Sequence, residues 1–541
     1  MKVRSHMLTP FVSRGIAILC ATVFVISAHT AQAENAVSLA EPAAPVFEVP
    51  FPGRLVYFSG PIMQTYKAYT IFWDPTHSIP SSYQSLINRW FTDLGGSALL
   101  DITTEYYQDD SQNPFAQVQN AAALGGTWVD NTNPYPHAGT PGDPLLGEDI
   151  RSEIQRAMDA NPGWPTGGLG AEFLVYTSRG VEVCDRAGCT PGVPGTGSRF
   201  CAAHNWFPQQ PGSTTPVIYA VMPYAATWTC NPGAGPHCLN DAVAANGLPA
   251  AHDCLQNYVA NWWAQQHSMA ASDFRSPNSG LCQNNDPGCA DADVEINCTS
   301  HEQIESITDP LLEEWLDGAG LEMSDKCDRG VFGSIAEDGR NVTLNGHPYL
   351  VQEEWSDAAN GCRLSMFCAA TPRADCRKPV QSGASVFQLK IGANPNKNAL
   401  SWKWNKGAAT SLADFGDPTA TNSPTTYGLC VYAEGDGSPF LAIEIADPPV
   451  SGWVRTAAGF KYTNKKPTDN QPRQISLTTG GDGKAKISVN GKGASLPMPA
   501  LPLKQNPKVI VQLQNSAGVC WEADYSNATK TNSSGFKARS D

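Results

Sequence analysis

An α/β or α+β domain followed by an all-β sandwich domain is the fold class that this sequence predicts. Three observations predict it. Helix-like and strand-like periodicities alternate up to about residue 370, which points to helices packed on a sheet. From residue 385 the pattern becomes short strands separated by Gly, Asn, Asp and Pro turns. The charge balance changes at the same place. Residues 385–541 hold 17 basic and 11 acidic side chains, a surplus of six positive charges, in a chain of formal net charge −15. The rest therefore carries −21, which marks a domain boundary.

Residues 1–33 read as a secretory signal. Lys2, Arg4 and Arg14 precede the apolar run from Ile16 to Ala28, and Ala31-Gln32-Ala33 has the small residues of a cleavage site. The run falls short of the roughly 20 apolar residues that a membrane span needs. Leu19 before Cys20 argues against lipidation. Residues 34–50 are rich in Ala, Pro and Glu and read as an extended leader. The mature chain is expected to be secreted, with no membrane span. Its net negative charge argues against nucleic-acid binding through phosphate neutralisation.

Residues 50–371 form the expected first domain. Leu55 to Phe58 and Tyr66 to Trp73 have strand chemistry. Ser81 to Leu94 carries Leu86, Ile87, Trp90, Phe91 and Leu94 as a helical stripe. Thr103 to Tyr107 reads as a strand, Gly147 to Asn161 as a helix, and Ala171 to Thr177 and Pro216 to Tyr224 as buried strands. Residues 372–384 read as a polar linker. In the second domain, 385–541, strands are expected over Val386 to Ile391, Leu400 to Trp404, Tyr427 to Tyr432, Phe440 to Ile445, Lys484 to Val489 and Lys508 to Leu513. Asn490-Gly491 reads as a hairpin turn.

Of the sixteen cysteines, fifteen remain once Cys20 is removed. In an exported chain they read first as disulfides, and an odd count leaves at least one thiol over. Cys184 with Cys189, Cys327 with Cys362 and Cys430 with Cys520 are the expected pairs.

The window from Asp291 to Asp325 carries the chemistry. A helix is expected from near Asp293 to Thr308, ended by Asp309-Pro310, with Ile304, Ile307 and Leu311 as its apolar stripe. His301 and Glu305 stand four apart on one face. In zinc peptidases, H-E-x-x-H places two ligands one turn apart, with the intervening Glu beside the activated water. Here the second ligand position is Glu305, and Glu302 takes the place of the general base. A carboxylate ligates zinc at nearly the imidazole distance, but it also opens the site to calcium or manganese. Glu322 is the leading third ligand, with Asp325 three residues beyond it and Asp309 as second choice. The competing reading of this motif is a solvated helix face.

The segments SHEQIESITDP, EEWLDGAGLEMSDKC and HPYLVQEEWSDAANGC resemble the phosphate-induced (EXORDIUM-like) secreted proteins and related bacterial secreted proteins with an S-H-E-x-x-E-x-x-T-D-P motif. GPIM near Gly60, FWDP at Phe72 to Pro75 and VIYA at Val217 to Ala220 fit the same family. The resemblance spans about residues 50–365 and does not reach the second domain. It implies an extracellular protein with a zincin-like metal helix, and carries His301, Glu305, Asp309, Glu322, Asp325 and Cys327 over by position.

These readings point to a secreted metal-dependent hydrolase, foremost a zinc metallopeptidase acting on extracellular protein or peptide. The alternative is a non-catalytic extracellular or envelope-associated binding protein with a structural zinc or calcium site. The chain has no G-x-S-x-G elbow for a serine hydrolase. Cys201 with His204 would suit a thiol nucleophile and base, against which a bridged Cys201 is the simpler expectation. Trp402 and Trp404 would suit a polysaccharide contact through the second domain, with a buried sandwich face as the competing reading.

Overall fold

The computed structural model describes residues 53–186, 188–193, 200–227, 254–283, 286–327, 332–446, 450–467 and 471–541. The expected signal and leader, 1–33 and 34–50, lie outside them.

Aromatic and β-branched runs form a five-stranded sheet in the first region. Its strands are β1 (Tyr66–Trp73), β2 (Ala122–Asp130), β3 (Glu172–Thr177), β4 (Ala203–Pro208) and β5 (Pro216–Met222), in the order β4-β5-β3-β1-β2. All neighbours are parallel except β4, which runs antiparallel to β5 at one edge. Helices α1 (Ser81–Leu94), α2 (Gly147–Ala160), α3 (Cys254–His267) and α4 (Gly288–Thr308) accompany it, as expected for a mainly parallel sheet. The apolar stripe of α1 is buried at Leu86, Ile87, Trp90, Phe91 and Leu94, and the helix packs on α4. Of Thr103 to Tyr107, expected as a strand, residues 103–105 instead end a 3₁₀ turn over Leu100–Glu105, and only Tyr107 enters a short strand, Tyr107–Gln108. In the turn Thr103 Oγ1 donates to Leu100 O (2.8 Å) and Thr104 Oγ1 to Asp101 O (2.7 Å), local bonding that competes with a sheet ladder.

The second region is a pair of antiparallel sheets around one core. Eight strands, β6 (Val386–Lys390), β7 (Ala399–Gly407), β10 (Trp453–Thr456), β11 (Gly459–Thr463), β12 (Gln474–Thr478), β13 (Ala485–Lys492), β16 (Ala528–Asn532) and β17 (Gly535–Arg539), make one sheet. Four strands, β8 (Tyr427–Gly435), β9 (Ser438–Ala446), β14 (Val509–Asn515) and β15 (Cys520–Tyr525), make the other. Phe387, Trp402 and Trp404 from the first meet Val431, Val511 and Trp521 from the second in a shared core. Asn490-Gly491 is no turn. Both residues continue β13 and pair with Ser401 and Leu400 of β7, and a Cβ on Gly491 would stand 2.4 Å from Leu496 Cδ1. Trp402 and Trp404 are fully buried. Their Nε1 atoms donate to Tyr525 Oη and Glu522 O, each at 2.9 Å, so neither ring is available to stack on a polysaccharide.

Five disulfides are described: Cys184–Cys189, Cys282–Cys289, Cys327–Cys362, Cys368–Cys430 and Cys376–Cys520. Such a set is what a chain folded in an oxidising compartment carries. The first and third match expectation, but Cys430 and Cys520 do not pair with each other. Strand β14 runs between them, since Cys430 faces Gln512 and Cys520 faces Gln514. Two strand spacings alone put them at least about 9.5 Å apart, beyond the ~7 Å reach of a disulfide. Each instead takes a partner from residues 368–376. The segment read as a linker is tied down further: Arg377 bridges to Trp521 and Pro379 to Gly407. Among the described residues Cys298 is a free thiol, and it is buried. No helix among them is long and apolar enough to cross a membrane.

Candidate metal centre

Helix α4 supplies most of the site. From Asp291 to Thr308 every residue is buried, so the solvated-face reading of His301 and its glutamates fails. A helix buried all round is normally apolar all round, whereas this one carries acidic groups along its length. Most are met by protein. Tyr224 Oη donates to Asp291 (2.7 Å), Asn278 N–H and Nδ2 donate to Asp293 (2.9 and 2.6 Å), and Ala225 N–H donates to Glu295 (2.8 Å). Glu302 differs: it is fully buried, and neither of its oxygens has a hydrogen-bond partner. Glu305 Oε2 and His301 Nε2 lack one as well. Buried polar atoms left in this state cost on the order of 1–3 kcal/mol each, and more when charged.

These atoms converge. His301 Nε2 lies 3.2 Å from Glu305 Oε1 and 3.6 Å from Asp325 Oδ1. His204, on edge strand β4, presents Nδ1 at 3.5 Å from Glu302 Oε2 and 3.7 Å from Glu305 Oε2. Its Nε2 lies 3.5 Å from Glu322 Oε1. Two donors held by one tetrahedral zinc at 2.0–2.1 Å stand roughly 3.4 Å apart. The observed gaps scatter around that edge length, and most exceed a good hydrogen bond.

The surroundings set the histidine tautomers. Gln352 Nε2 donates to Ser324 O (2.9 Å), which turns its Oε1 toward His301 Nδ1 (3.1 Å). An amide oxygen only accepts, so Nδ1 carries a proton, and Nε2, facing the carboxylates, is the nitrogen left to take a second proton or a cation. His204 Nε2 meets the carbonyl of Asp309 at 3.3 Å. The same reasoning leaves its Nδ1, facing Glu302 and Glu305, as the nitrogen that takes a second proton or a cation. Asp325 is delivered by a 3₁₀ turn at Asp325–Cys327, where its N–H donates to Glu305 Oε1 (3.0 Å). The Cys327–Cys362 bridge staples that turn to the hairpin carrying Glu354, whose Oε2 accepts from Ser324 Oγ (2.7 Å).

Without a cation the cluster is held together by protons. Burial pushes Glu302 up to about 7 and Asp325 up to about 6, and it raises Glu322 and Glu354 further still. Burial also opposes charge on the imidazoles, but Glu302 and Glu305 outweigh it at His204, raised to about 10, and Glu305, Asp325 and Glu302 outweigh it at His301, raised well above the usual range. Glu305 moves the other way: burial would raise it, but the two histidines pull it down.

Two three-donor groups result: His301, Glu305 and Asp325; and His204, Glu302 and Glu305. Glu322 belongs to neither and lies against the far nitrogen of His204. Asp309 is buried at the C-terminal cap of α4, where its Oδ1 accepts the Glu314 N–H (2.5 Å) and its Oδ2 has no hydrogen-bond partner. Sequence reasoning missed the place of His204, Gln352 and Glu354. His204 stands in no local motif, since sheet topology alone brings β4 to α4. Cys201 is disulfide-bonded, which removes it as a thiol nucleophile. Comparison with family models, curated proteins and solved structures finds no match to this chain.

Proposed function

We propose that this protein is an extracellular metal-dependent hydrolase, with a peptide bond as the leading substrate. The observation that carries the reading is the convergence of His301 Nε2, Glu305 Oε1 and Asp325 Oδ1 in a dry interior, each fit to face a cation. Zinc is the leading ion, because an imidazole and two carboxylates at these spacings suit it; manganese and calcium are the alternatives. When bound, it would polarise a carbonyl and acidify water. Glu302, next to that set and without a hydrogen-bond partner, would accept the proton of the attacking water. The H-E-x-x-E helix beside an antiparallel edge strand supports a zincin-like first domain, and its flanking motifs support kinship with the phosphate-induced secreted proteins.

A second reading has its own observation: His204, His301, Glu302 and Glu305 are all 0% exposed. A site so closed suits a structural cation that ties α4 to the Asp325 turn in a non-catalytic binding protein. Elemental analysis and a casein-digestion assay on wild type and His301→Ala separate the two. Bound metal with hydrolysis, both lost in the variant, supports the hydrolase. Metal that raises the melting temperature without turnover supports the structural site. Metal-free protein in both cases would end both readings.

A further inference from the structure

We propose that the same acidic box takes a second divalent cation, on the side of His204, with Glu305 bridging the two. The proposal rests on the metal reading above and extends it. Glu305 offers a different oxygen to each three-donor group: Oε1 stands 3.2 Å from His301 Nε2, and Oε2 stands 3.7 Å from His204 Nδ1. Glu302 Oε2, at 3.5 Å from the same His204 nitrogen, completes the second group. A carboxylate that gives one oxygen to each of two ions suits the ion separation of about 3.5–4 Å found in two-metal sites.

An independent observation points to a ligand here. Glu302 is fully buried, yet neither of its oxygens has a hydrogen-bond partner. The Asp309 carbonyl, by accepting from His204 Nε2, aims Nδ1 at two carboxylates. A cation there would be met by that nitrogen together with Glu302 Oε2 and Glu305 Oε2.

The number of buried carboxylates favours two ions over one. Glu302, Glu305, Asp309, Glu322 and Asp325 place five buried carboxylates around two imidazoles. Lys326, next in sequence to Asp325, is turned away to Asp317 and the carbonyl of Gly53. One three-donor group engages two of these carboxylates, and the two groups together engage three, Glu302, Glu305 and Asp325. In a water-excluded interior uncompensated charge is the dominant cost. One imidazole and two carboxylates favour zinc or manganese over calcium, which seeks six to eight oxygens.

The two ions have opposite consequences. The His301 side supports hydrolysis while Glu302 is free to accept a proton. An ion on the His204 side engages Glu302 directly and withdraws it. The second site is therefore inhibitory, and fills after the first because the first has already reduced the negative charge.

The test is metal stoichiometry on chelator-stripped protein, measured by calorimetric titration with Zn²⁺ and by electron paramagnetic resonance with Mn²⁺. Wild type, His204→Ala and Glu302→Gln are compared, with circular dichroism to confirm the fold. Wild type should take two ions and show a spin-coupled Mn²⁺ pair. His204→Ala should take one and lose the coupling, and Glu302→Gln should weaken the second ion at least about tenfold. One ion in wild type, kept in His204→Ala, overturns the second site while the first reading stands. No ion in any form overturns both. Should His204→Ala not fold, the near-isosteric Glu302→Gln decides: two equally tight ions there overturn the proposal.

Discussion

Helix α4 and the second region's sandwich bury polar side chains in opposite ways. In the sandwich most large polar groups close on one another, with Gln514 Oε1 and Asp524 Oδ1 as exceptions that do not converge on one point. Trp402 Nε1 reaches Tyr525 Oη, Trp521 Nε1 reaches Thr410 Oγ1 (3.1 Å), and Gln512 Nε2 reaches Glu522 Oε2 (2.6 Å). In α4 the network is closed at Asp293 but open at Glu302, Glu305 Oε2 and His301 Nε2. Satisfied buried groups specify a fold, whereas a gap with several orphaned atoms around one point is where a ligand belongs. The difference separates architecture from function more sharply than burial does, because both regions bury polar side chains completely.

Exchanging one residue on each side should expose the contrast. Glu302→Gln removes the proposed proton acceptor but keeps the shape. Proteolysis of casein is expected to fall about 100- to 10,000-fold, with no loss of melting temperature, because a buried charge without a hydrogen-bond partner has been neutralised. Unchanged hydrolysis alongside an active wild type would remove Glu302 as the base. Trp404→Ala should do the reverse. Truncating a fully buried tryptophan is expected to cost about 3–5 kcal/mol of stability, read by urea unfolding, while metal content stays the same. Loss of metal in that variant would mean that the two regions are not separable in this way.

How much of this was legible follows from the range of the forces involved. Helix α1, the strand run Tyr66–Trp73 and the local bridge Cys184–Cys189 are set by neighbours in sequence, and periodicity or spacing reveals them. The i,i+4 relation of His301 and Glu305 is local too. His204 is not: it reaches the site because β4 turns back antiparallel on β5, a pairing that no motif announces. The Cys430 and Cys520 partners failed for the same reason, since a strand inserted between them is a fact of topology. The burial of α4 was hidden because its acidic residues imitate a solvated face. Only the groups packed against them, such as Asn278 and Ala225, show otherwise.

Gln352 tests whether the open part of the network depends on the closed part around it. Its side chain fixes the His301 tautomer from outside the ligand set. Gln352→Leu should weaken metal binding about 10- to 100-fold, measured by competition with a chromogenic chelator, with α4 still folded. An unchanged affinity would show that His301 is oriented by packing alone.

A last contrast separates the regions by pH. Burial pushes Glu295 of α4 up to about 8, while Asp414 and Asp524 in the second region are lowered: burial would raise both, but the hydrogen bonds from Ser411 to Asp414 and from Lys378 to Asp524 outweigh it. A carboxyl raised by folding holds a proton that the unfolded chain releases above about pH 4.5. Its contribution is therefore complete below that pH and is lost as pH rises toward 8. The lowered carboxyls act in the other direction, losing their contribution only as pH falls below the ordinary carboxylate range. Between pH 5 and 8 the raised group dominates, and one such group changes stability by at most about 1.4 kcal/mol per pH unit. Glu295→Gln keeps an acceptor for the Ala225 N–H and removes the proton. Its urea midpoint should fall less steeply from pH 5 to 8 than that of wild type. Equal slopes would mean that Glu295 stays ionised, and that the interior around α4 is more polar than its burial implies.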